Sequence, residues 1–428
     1  MSAKLKIDNS MRIFERAKKL IPCQTQTLSK GYTQFVLGAC PIFLKSGKGS
    51  HVFDVDGNEY IDFPLALGPV TLGYQYPAVD DAVKEQMKEG ITFSMPHPLE
   101  VELAELLVKT IPCAEMVRYG KNGSDVTSMA VKLARAYTGK EKIAYCGYHG
   151  WEDWYVITTE RNKGVPKFMK NFMLKFEYNN IESLERIFKE NKDIAAVIME
   201  PVGIIPPEDD FLEKVKELSN KNGAVLIFDE MVTGFRMALG GAQEYFKVTP
   251  DLAAFGKGMA NGMPLSAVVG KKEIMNEAEN VFFSMTFGGE TLSLAAGMAT
   301  IREMKEKKAT EHMWKQGGKI KKGFDGLAEK YGINAKCAGY GVHNVFQFKT
   351  SEGKDDYNMK SLFIQEVVKR GVLFSCTQNF CLSHSDADIE KGIKSIEEAF
   401  KVMKKAADEN KVREMIEGEP VRPVFREP

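Results

Sequence analysis

The chain has 428 residues, of which 44% are hydrophobic and 27% are charged, a composition typical of soluble globular proteins. Lysine plus arginine and aspartate plus glutamate both total 58, so the formal net charge is zero. A neutral balance gives no electrostatic footprint for nucleic acid or an anionic membrane, and no apolar run approaches the length of a membrane span. The seven cysteines are scattered and the N-terminal stretch lacks a signal-peptide core, so we expect a reduced, cytoplasmic protein.

The first recognisable element is a hairpin in HVFDVDGNEYIDF, residues 51–63. Alternating apolar residues flank an Asp56-Gly57 turn, which favours two antiparallel strands. The letters DVDGN superficially resemble a calcium-binding loop. That interpretation fails because Glu59 occupies the sixth position, where such a loop requires glycine.

From about residue 77 onward, helical patterns alternate with short apolar runs. The runs MVRYG, KIAYCG, IAAVIMEP and AVLIFDE are predicted strands, and PLEVELAELLVKTI, DVTSMAVKLARAYTG, ESLERIFKENK and DFLEKVKELSNKNG are predicted helices. This repetition implies a parallel sheet with helices on both faces. Ligands of such sheets bind at the carboxyl ends of the strands, so the polar residues that follow these runs should gather at one edge.

The pattern changes again after about residue 308. Long charged helices are followed by predicted strands in VHNVFQFK and GVLFSC and by a helix in DADIEKGIKSIEEAFKVMKKAADEN. The sequence thus predicts an N-terminal segment over residues 1–75, a large domain over residues 76–308 and a small α+β domain over residues 309–428.

GKNGSD, residues 120–125, lies between a predicted strand and a predicted helix. Its backbone N–H groups and the Ser124 hydroxyl suit a phosphate at a helix N-terminus. It is not a Walker loop, because no Gly-Lys-Ser/Thr sequence closes it. A plain helix start, with Ser124 or Asp125 as the N-cap, is the alternative.

Two further strand ends carry aromatic or acidic residues. CGYHGW, residues 146–151, places an aromatic ring and a histidine between glycines, where they can lie against a flat ring. A packed aromatic loop is the alternative. Asp229 follows AVLIF and can hold a protonated ring nitrogen through a charge-assisted hydrogen bond. Many α/β proteins, however, end a strand in aspartate for helix capping or metal binding.

Lys257 lies between two glycines in AAFGKGMANGMPLSAVVG, residues 253–270. A lysine in an apolar setting has a lowered pKa, because desolvation disfavours the ammonium form. Its neutral amine is then a nucleophile toward carbonyl groups, as in Schiff-base lysines. The alternative is a loop lysine whose head group reaches solvent.

One ligand accounts for these four features together. A phosphate needs the glycine-rich helix start, a ring face needs the aromatic residue, a pyridine nitrogen needs the carboxylate, and an aldehyde needs the lysine. Pyridoxal phosphate has all of these groups, and its usual protein partners are a Schiff-base lysine and an acidic residue at the pyridine nitrogen.

The sequence resembles the class III, fold-type I pyridoxal-phosphate aminotransferases, and within them the glutamate-1-semialdehyde aminomutase branch, over about residues 13–400. The resemblance is carried by DVDGNEYIDF, LGPVTLGYQYP, GKNGSD, ARAYTG, GYHGW, IMEPVG, FDEMVTGFR, TPDLAAFGKGMANGMPLSAVVG and TFGGETLSLAAG. It implies an α/β fold with a large, seven-stranded, mostly parallel sheet domain and a small α+β domain to which both chain ends contribute.

The resemblance also implies catalytic roles for three matching residues. Lys257 would form the Schiff base with the cofactor and shuttle the proton between carbon centres. Asp229 would bond the pyridine nitrogen and keep it protonated. Tyr148 would stack on the cofactor ring.

The remaining cofactor contacts follow from the same resemblance. Gly123 and Ser124 would hold the phosphate, and His149 belongs to the segment that lies against the ring. Glu200, from the Glu-Pro motif, would organise the surroundings of the ring. Thr286 would reach the phosphate of the neighbouring subunit, which implies a homodimer with shared active sites.

The departures from the family pattern fall on the substrate side. Lys30 stands where the family has an arginine that meets the substrate carboxylate, and Leu67 stands in place of a tryptophan. Near the C-terminus a glutamate of the family segment is missing, and Asn379 and His384 occupy that neighbourhood instead. We therefore expect the same cofactor chemistry on a different substrate, with Lys30, Asn379 and His384 as candidate substrate residues.

These features predict an aminotransferase that moves an amino group to or from a small polar aldehyde or keto compound, for example a sugar-derived one. Glutamate-1-semialdehyde 2,1-aminomutase is the alternative, and a decarboxylase or racemase on the same fold is a further one. Outside this class, a non-catalytic scaffold protein or a phosphate-ligand-binding protein using GKNGS remains open. A metal enzyme is disfavoured, because the six histidines show no ligand spacing.

Overall fold

The computed structural model describes residues 5–375 and 377–423. The chain divides into two compact units, which we call the terminal unit and the central unit. The terminal unit combines the chain up to residue 76 with the chain from residue 311, and the central unit comprises residues 77–310. The boundaries predicted after residues 75 and 308 lie within two residues of these. Among the described residues, no helix combines the length and the apolar character that crossing a membrane requires.

The strands and helices are numbered in chain order. The strands are β1 Leu44–Lys48, β2 His51–Asp54, β3 Glu59–Asp62, β4 Met116–Gly120, β5 Lys142–Cys146, β6 Met173–Lys175, β7 Ile194–Met199, β8 Val225–Asp229, β9 Leu252–Phe255, β10 Ser266–Gly270, β11 Ala335–Tyr340, β12 His343–Phe348, β13 Val372–Leu373 and β14 Gln378–Asn379. The α-helices are α1 Asp8–Leu20, α2 Pro77–Glu89, α3 Pro98–Thr110, α4 Gly123–Thr138, α5 Asp153–Val156, α6 Ile181–Glu190, α7 Phe211–Lys221, α8 Ala242–Phe246, α9 Lys272–Met275, α10 Thr291–Glu306, α11 Ala309–Tyr331, α12 Tyr357–Val368 and α13 Asp386–Asp408.

The central unit is built on a seven-stranded sheet with the strand order β4-β10-β9-β8-β7-β5-β6. The pairs from β9 to β6 are parallel, whereas β10 is antiparallel to both of its neighbours. Every residue of β7 and β8 is buried, as expected for continuous apolar strands in the middle of a parallel sheet. The predicted α/β fold with a seven-stranded, mostly parallel sheet is confirmed.

Helix α4 packs on this sheet through one apolar face. Val126, Met129, Ala130 and Leu133 recur at helical spacing and are completely buried. Burying a large apolar side chain contributes about 1.5–3 kcal/mol, so this face holds the helix firmly on the sheet. The helix ends before Gly139, whose φ of +65° is the left-handed conformation common at helix C-termini.

The terminal unit contains a four-stranded sheet, β1-β2-β3-β13, and a three-stranded sheet, β11-β12-β14. The predicted hairpin is confirmed, because β2 and β3 pair in antiparallel fashion around Gly57, whose φ is +90°. Strand β13 pairs in parallel with β3, so the two ends of the chain share one sheet. The strands predicted in VHNVFQFK and GVLFSC and the long final helix correspond to β12, β13 and α13.

Candidate active site

The carboxyl ends of six strands lie at one edge of the central sheet. Strands β4 to β9 run in the same direction, because β10 reverses between β4 and β9 and the other pairs are parallel. Residues that end or follow these strands are therefore collected at this edge. They include the predicted cofactor residues Gly123, Ser124, Tyr148, His149, Glu200, Asp229 and Lys257.

The start of α4 is organised by the carboxylate of Asp125. Its Oδ2 atom accepts hydrogen bonds from the backbone N–H groups of Lys121 at 2.9 Å and Asn122 at 2.7 Å. Ser124 is buried, and its Oγ atom accepts a hydrogen bond from the backbone N–H of Trp151 at 3.1 Å. Ser124 thus joins the helix start to the loop after β5. The N-terminal end of α4 also carries the partial positive charge of the helix dipole, which favours an anion here.

Asp229 ends β8 and is 3% exposed. Its Oδ1 atom accepts a hydrogen bond from the backbone N–H of Met231 at 3.1 Å, and its Oδ2 atom lies 2.9 Å from Nδ1 of His149. The Nε2 atom of His149 lies 3.1 Å from the carbonyl oxygen of Cys146. Both ring nitrogens of His149 are thus held by polar partners, and its Nδ1 side faces the Asp229 carboxyl group. His149 therefore orients Asp229 at the sheet edge.

Tyr148 and Glu200 are joined by a direct hydrogen bond. The Oε2 atom of Glu200 accepts from the backbone N–H of Tyr148 at 3.0 Å. Gly147 has a φ of +102°, and a Cβ atom there would lie 2.6 Å from Glu200 Oε2, so the close approach requires glycine. Burial, and next the negative charge of Asp229, raise the pKa of Glu200. The Tyr148 ring is 48% exposed and offers an open aromatic surface.

Lys257 begins a short 3₁₀ turn, Lys257–Ala260, directly after β9. Its φ of +38° is uncommon for a residue other than glycine, and such conformations concentrate at functional sites. Solvent still reaches the side chain, but the protein packed around it lowers the pKa of the amine by desolvation. The charges of Asp229 and Glu200 raise this pKa in part, while Arg236 lowers it. The lowered pKa favours the neutral, nucleophilic amine.

Met231 is a site residue that sequence reasoning missed. A Cβ atom on Gly123 or on Gly256 would lie 2.8 Å from its Sδ atom. The two glycines therefore let the α4 start and the segment before Lys257 approach the same side chain. The FDEMVTGFR motif contains Met231 and the buried Arg236, but nothing local in the sequence indicates which distant residues they meet.

Glu230, the neighbour of Asp229, holds the loop that follows β8. Its buried carboxylate accepts hydrogen bonds from the Thr233 hydroxyl, from the backbone N–H of Ala242 at 2.7 Å and from that of Gln243 at 2.9 Å. Burial raises the pKa of Glu230 although these donors act against the shift. These hydrogen bonds fix the loop after β8 and thereby support the position of Asp229 at the end of the strand.

The three predicted substrate residues lie in the terminal unit. Lys30 is exposed and lines a cavity of this unit. Asn379 is buried in β14, and its Oδ1 atom lies 3.0 Å from Nδ1 of His343. His384 is fully buried and stacks on Phe63 with ring centroids 4.7 Å apart, and burial lowers its pKa to about 3. Of the three predicted residues, only Lys30 has an accessible side chain.

Thr286 lies in an exposed turn of the central unit, residues 286–289. The apolar neighbours in this segment are also open to solvent, with Phe282 84% exposed and Phe287 60% exposed. An exposed position is what a residue needs in order to act in a neighbouring subunit. The assigned role of Thr286 stays a prediction.

The sheet edge has one group for each part of pyridoxal phosphate. An amine with a lowered pKa suits the aldehyde, and a buried carboxylate suits the ring nitrogen. An accessible aromatic ring suits the flat face, and a helix start with a buried hydroxyl suits the phosphate. Gly123, Gly147 and Gly256 keep these groups close together, because a side chain at any of them would collide with Met231 or Glu200. The residues present therefore fit this cofactor.

Comparison with known families decides the assignment. The family model described as Aminotransferase class-III matches residues 36–406, most of the chain. The chain belongs to this family. The prediction of a class III aminotransferase or aminomutase enzyme, made from the motifs, is therefore confirmed.

Relatives of this class III aminotransferase match most of its length. It is 38% identical to the 3-aminobutyryl-CoA aminotransferase of Cloacimonas acidaminovorans (strain Evry), over 95% of this chain and 100% of the relative. It is 36% identical to the glutamate-1-semialdehyde 2,1-aminomutase of Chloroherpeton thalassium (strain ATCC 35110 / GB-78), over 93% of this chain and 99% of the relative. The relatives thus include members of the aminomutase branch that the sequence resembles and also an aminotransferase.

Among solved structures, the fold is similar to that of the FumI protein of Sphingopyxis sp. MTA144 in its PLP internal aldimine form. The TM-score is 0.87 and the sequence identity 26%, over 93% of this chain and 97% of that one. A second neighbour, with a TM-score of 0.86 and 24% identity over 94% of this chain and 100% of that one, is a transaminase with PLP bound. At the level of the family, the predicted cofactor is confirmed.

Proposed function

We propose that this chain is a pyridoxal-phosphate-dependent aminotransferase that moves an amino group between a donor amino acid and a carbonyl compound. One observation carries the proposal. The side chain of Lys257 is exposed at the carboxyl edge of the sheet, and the protein around it lowers the pKa of its amine by desolvation, while the charges of Asp229 and Glu200 act against this shift. An accessible, nucleophilic amine that senses two carboxylates is what binding and activating an aldehyde cofactor requires.

In this proposal Lys257 has two tasks. Its Nζ atom would bind the aldehyde group of the cofactor, and it would take up and return a proton at the reacting carbon of the substrate. The lowered pKa suits both tasks, because a permanently protonated ammonium group is neither a nucleophile nor a base. When bound, the cofactor supplies a conjugated ring that delocalises the electron pair released at that carbon.

The other site residues would bind the ring nitrogen, the phosphate and one face of the cofactor. Asp229, oriented by His149 at 2.9 Å, would keep the ring nitrogen protonated. Ser124 and the backbone of Gly123 at the start of α4 would hold the phosphate, and the Tyr148 ring would cover one face of the cofactor. Glu200 supports Tyr148 through the backbone hydrogen bond at 3.0 Å.

Glutamate-1-semialdehyde 2,1-aminomutase is the second candidate, because several relatives at 34–36% identity bear that name. The substitution pattern favours the aminotransferase. Lys30 keeps the positive charge of the family's arginine but loses its bidentate geometry, and Leu67 removes a large ring. The relative at 38% identity is named a 3-aminobutyryl-CoA aminotransferase, so 3-amino acyl compounds are the first donors to try beside L-glutamate.

The absorbance spectrum of the cofactor-loaded protein tests the proposal. Excess L-glutamate or a 3-amino acyl donor should remove the visible band of the aldehyde form and produce the near-ultraviolet band of the amine form. The Lys257→Ala variant should lack the starting visible band. Spectra that all these donors leave unchanged, together with conversion of glutamate-1-semialdehyde to 5-aminolevulinate, would instead establish the aminomutase.

We also propose that the enzyme acts in the cytoplasm as a homodimer with shared active sites. The exposed turn that contains Thr286 is followed by Thr291, whose hydroxyl donates to the backbone oxygen of Ile91 at 2.9 Å. Ile91 is 43% exposed, and Met95 in the same segment is 80% exposed. Exposed apolar segments lying next to each other support a subunit interface at this surface.

A further inference from the structure

An ion pair between Lys121 and Glu290 joins two segments of the central unit that are 169 residues apart in the chain. The Nζ atom of Lys121 lies 3.0 Å from the Oε2 atom of Glu290, and the two side chains are only 15% and 13% exposed. Lys121 belongs to GKNGSD and Glu290 to TFGGETLSLAAG, but no cofactor contact is assigned to either residue. Because little solvent screens this pair, it constrains its two segments more strongly than an exposed pair would.

The Glu290 side of the pair is fixed on helix α10. The Oε1 atom of Glu290 accepts a hydrogen bond from the backbone N–H of Leu292 at 2.6 Å, and Oε2 accepts from the Ser293 hydroxyl at 2.6 Å. Glu290 is thus the N-cap of this helix. Burial would raise the pKa of Glu290, but the hydrogen bonds from Ser293 and Lys121 outweigh burial and lower it. The side chain is therefore a carboxylate at neutral pH.

Helix α10 also supports the lysine of the cofactor site. Most of its residues are buried, and it packs against the 3₁₀ turn Lys257–Ala260. Its first turn is held by the buried Thr291, whose backbone N–H donates to the carbonyl oxygen of Ile91 at 3.0 Å. The position of α10 therefore bears on the position of Lys257.

The Lys121 side of the pair is fixed at the start of α4. The backbone N–H of Lys121 donates to Oδ2 of Asp125 at 2.9 Å, and the same oxygen accepts from the N–H of Asn122. The carbonyl oxygen of Asn122 accepts from the Ser266 hydroxyl at 2.8 Å. The ion pair thus connects the helix start that suits the phosphate with the helix that packs against the Lys257 turn.

We propose that Lys121 and Glu290 are positioning residues, and that their ion pair sets the separation between the phosphate site at the α4 start and the amine of Lys257. Pyridoxal phosphate has to reach both places at once, with its phosphate at one end and its aldehyde at the other. Without the ion pair the α4 start is free to shift relative to α10, and a site that is no longer preorganised binds more weakly. The inference rests on the proposed function, because it requires the cofactor named there.

Titration of the cofactor-free chain with pyridoxal phosphate, and with pyridoxal, which lacks the phosphate, tests this inference. The visible absorbance band follows both titrations. Glu290→Gln keeps an acceptor for the α10 N–H groups but loses the charge, and it should bind pyridoxal phosphate about tenfold more weakly. Its affinity for pyridoxal should change by less than about twofold, because pyridoxal has no group at the α4 start.

The same variant separates positioning from a direct attraction between Lys121 and the phosphate. Removal of a carboxylate makes the surroundings of Lys121 more positive, so attraction alone predicts tighter binding of pyridoxal phosphate by Glu290→Gln.

Two variants of Lys121 complete the test. Lys121→Met should also weaken pyridoxal phosphate about tenfold, and the double variant with Glu290→Gln should lose about as much as either single one, because both changes break one ion pair. Lys121→Arg keeps the charge and should stay within about twofold of the unchanged chain.

Lys271→Met is the matched control. Lys271 pairs with Asp251 at 2.6 Å in the same unit, but Asp251 precedes β9 and therefore lies at the opposite edge of the sheet from the site. This variant should bind both compounds as the unchanged chain does. Unchanged or tighter binding of pyridoxal phosphate by Glu290→Gln, or an equal loss of both compounds, would overturn the inference.

These outcomes can be separated from that of the proposed function. If the unchanged chain formed no visible band with pyridoxal phosphate, the cofactor assignment would fail and this inference with it. If the band formed and Glu290→Gln and Lys121→Met kept the full preference for pyridoxal phosphate over pyridoxal, only the role of the ion pair would be rejected.

Discussion

At the scale of single residues, burial decides which ionisable groups can react. Desolvation is the largest effect on Lys257 and lowers the pKa of its amine, although Asp229 and Glu200 act against it. Desolvation also lowers the pKa of His384, to about 3, but this ring is fully buried and stacks on Phe63. A reactive residue therefore needs both a shifted pKa and a side chain that solvent can reach, and Lys257 has both.

The buried carboxyl group of Asp62 in the terminal unit should make the free energy of unfolding depend on pH. Burial raises the pKa of its carboxyl group from 3.8 to about 6, although Tyr74, the Leu65 backbone and Lys30 act against the shift, and the Cys381 thiol also faces it. Between pH 4 and 6 the folded chain therefore holds more protons than the unfolded chain. The free energy of unfolding should fall as pH rises through this window.

The Asp62→Asn variant should lose this pH dependence. The difference in unfolding free energy between the two proteins should change by about 3 kcal/mol at most between pH 4 and 7, since one pKa unit corresponds to about 1.36 kcal/mol. Urea unfolding at a series of pH values measures it. Parallel stability curves for the two proteins would show that Asp62 ionises as freely in the folded chain as in the unfolded one.

At the scale of elements, the sequence predicted the strands that carry the site because each is a short run rich in apolar residues that is followed by polar residues. MVRYG, KIAYC, IAAVIM and VLIFD match β4, β5, β7 and β8. Strand β6 was not predicted, because three residues at the edge of a sheet show no periodicity. The start of α4 was expected at Asp125 and lies at Gly123, because Asp125 bonds backward to the preceding N–H groups.

The connection between α4 and the loop after β5 can be tested with glycine variants. A Cβ atom on Gly150 would lie 2.3 Å from the Oγ atom of Ser124, and the φ of Gly150 is +110°. Gly164 has a similar φ of +98°, but nothing lies within 4 Å of its Cβ position. The Gly150→Ala variant should therefore bind pyridoxal phosphate about tenfold more weakly than Gly164→Ala, because both share the backbone strain and only one displaces Ser124.

Fluorescence titration of the cofactor-free proteins with pyridoxal phosphate gives these affinities. Thermal unfolding of both variants serves as the control for the common strain. If the two variants bound pyridoxal phosphate with equal affinity, Ser124 and the α4 start would not hold the phosphate.

At the scale of the whole molecule, the surroundings of the candidate substrate residues could not be predicted from the sequence. Both chain ends share one sheet through β3 and β13, which the family resemblance implied and local patterns do not indicate. Lys30 is a candidate because it stands at a family substrate position, and Asn379 and His384 are candidates because they occupy the neighbourhood of the missing family glutamate. Burial of Asn379 and His384 depends on packing against distant segments such as Phe63, and no local pattern encodes it.

The oligomeric state is a property of the whole molecule, and we predict a homodimer. The protein should have twice the mass of a single chain by light scattering. The Phe282→Asp variant should dissociate more readily, because Phe282 is 84% exposed and lies in the segment before Thr286. Ile205→Asp, at a residue 55% exposed in the loop after β7, is the matched control and should leave the dimer intact. A monomer with full amino-transfer activity would contradict shared active sites.

The role of Lys257 is tested most directly by locating the lysine that binds the cofactor. The protein loaded with pyridoxal phosphate is reduced with sodium borohydride, digested, and analysed by peptide mass spectrometry. The reduced cofactor should be attached to the peptide that contains Lys257, and the Lys257→Ala variant should carry none. Attachment to a different lysine, such as Lys121 at the α4 start, or no attachment at all would contradict the role of Lys257.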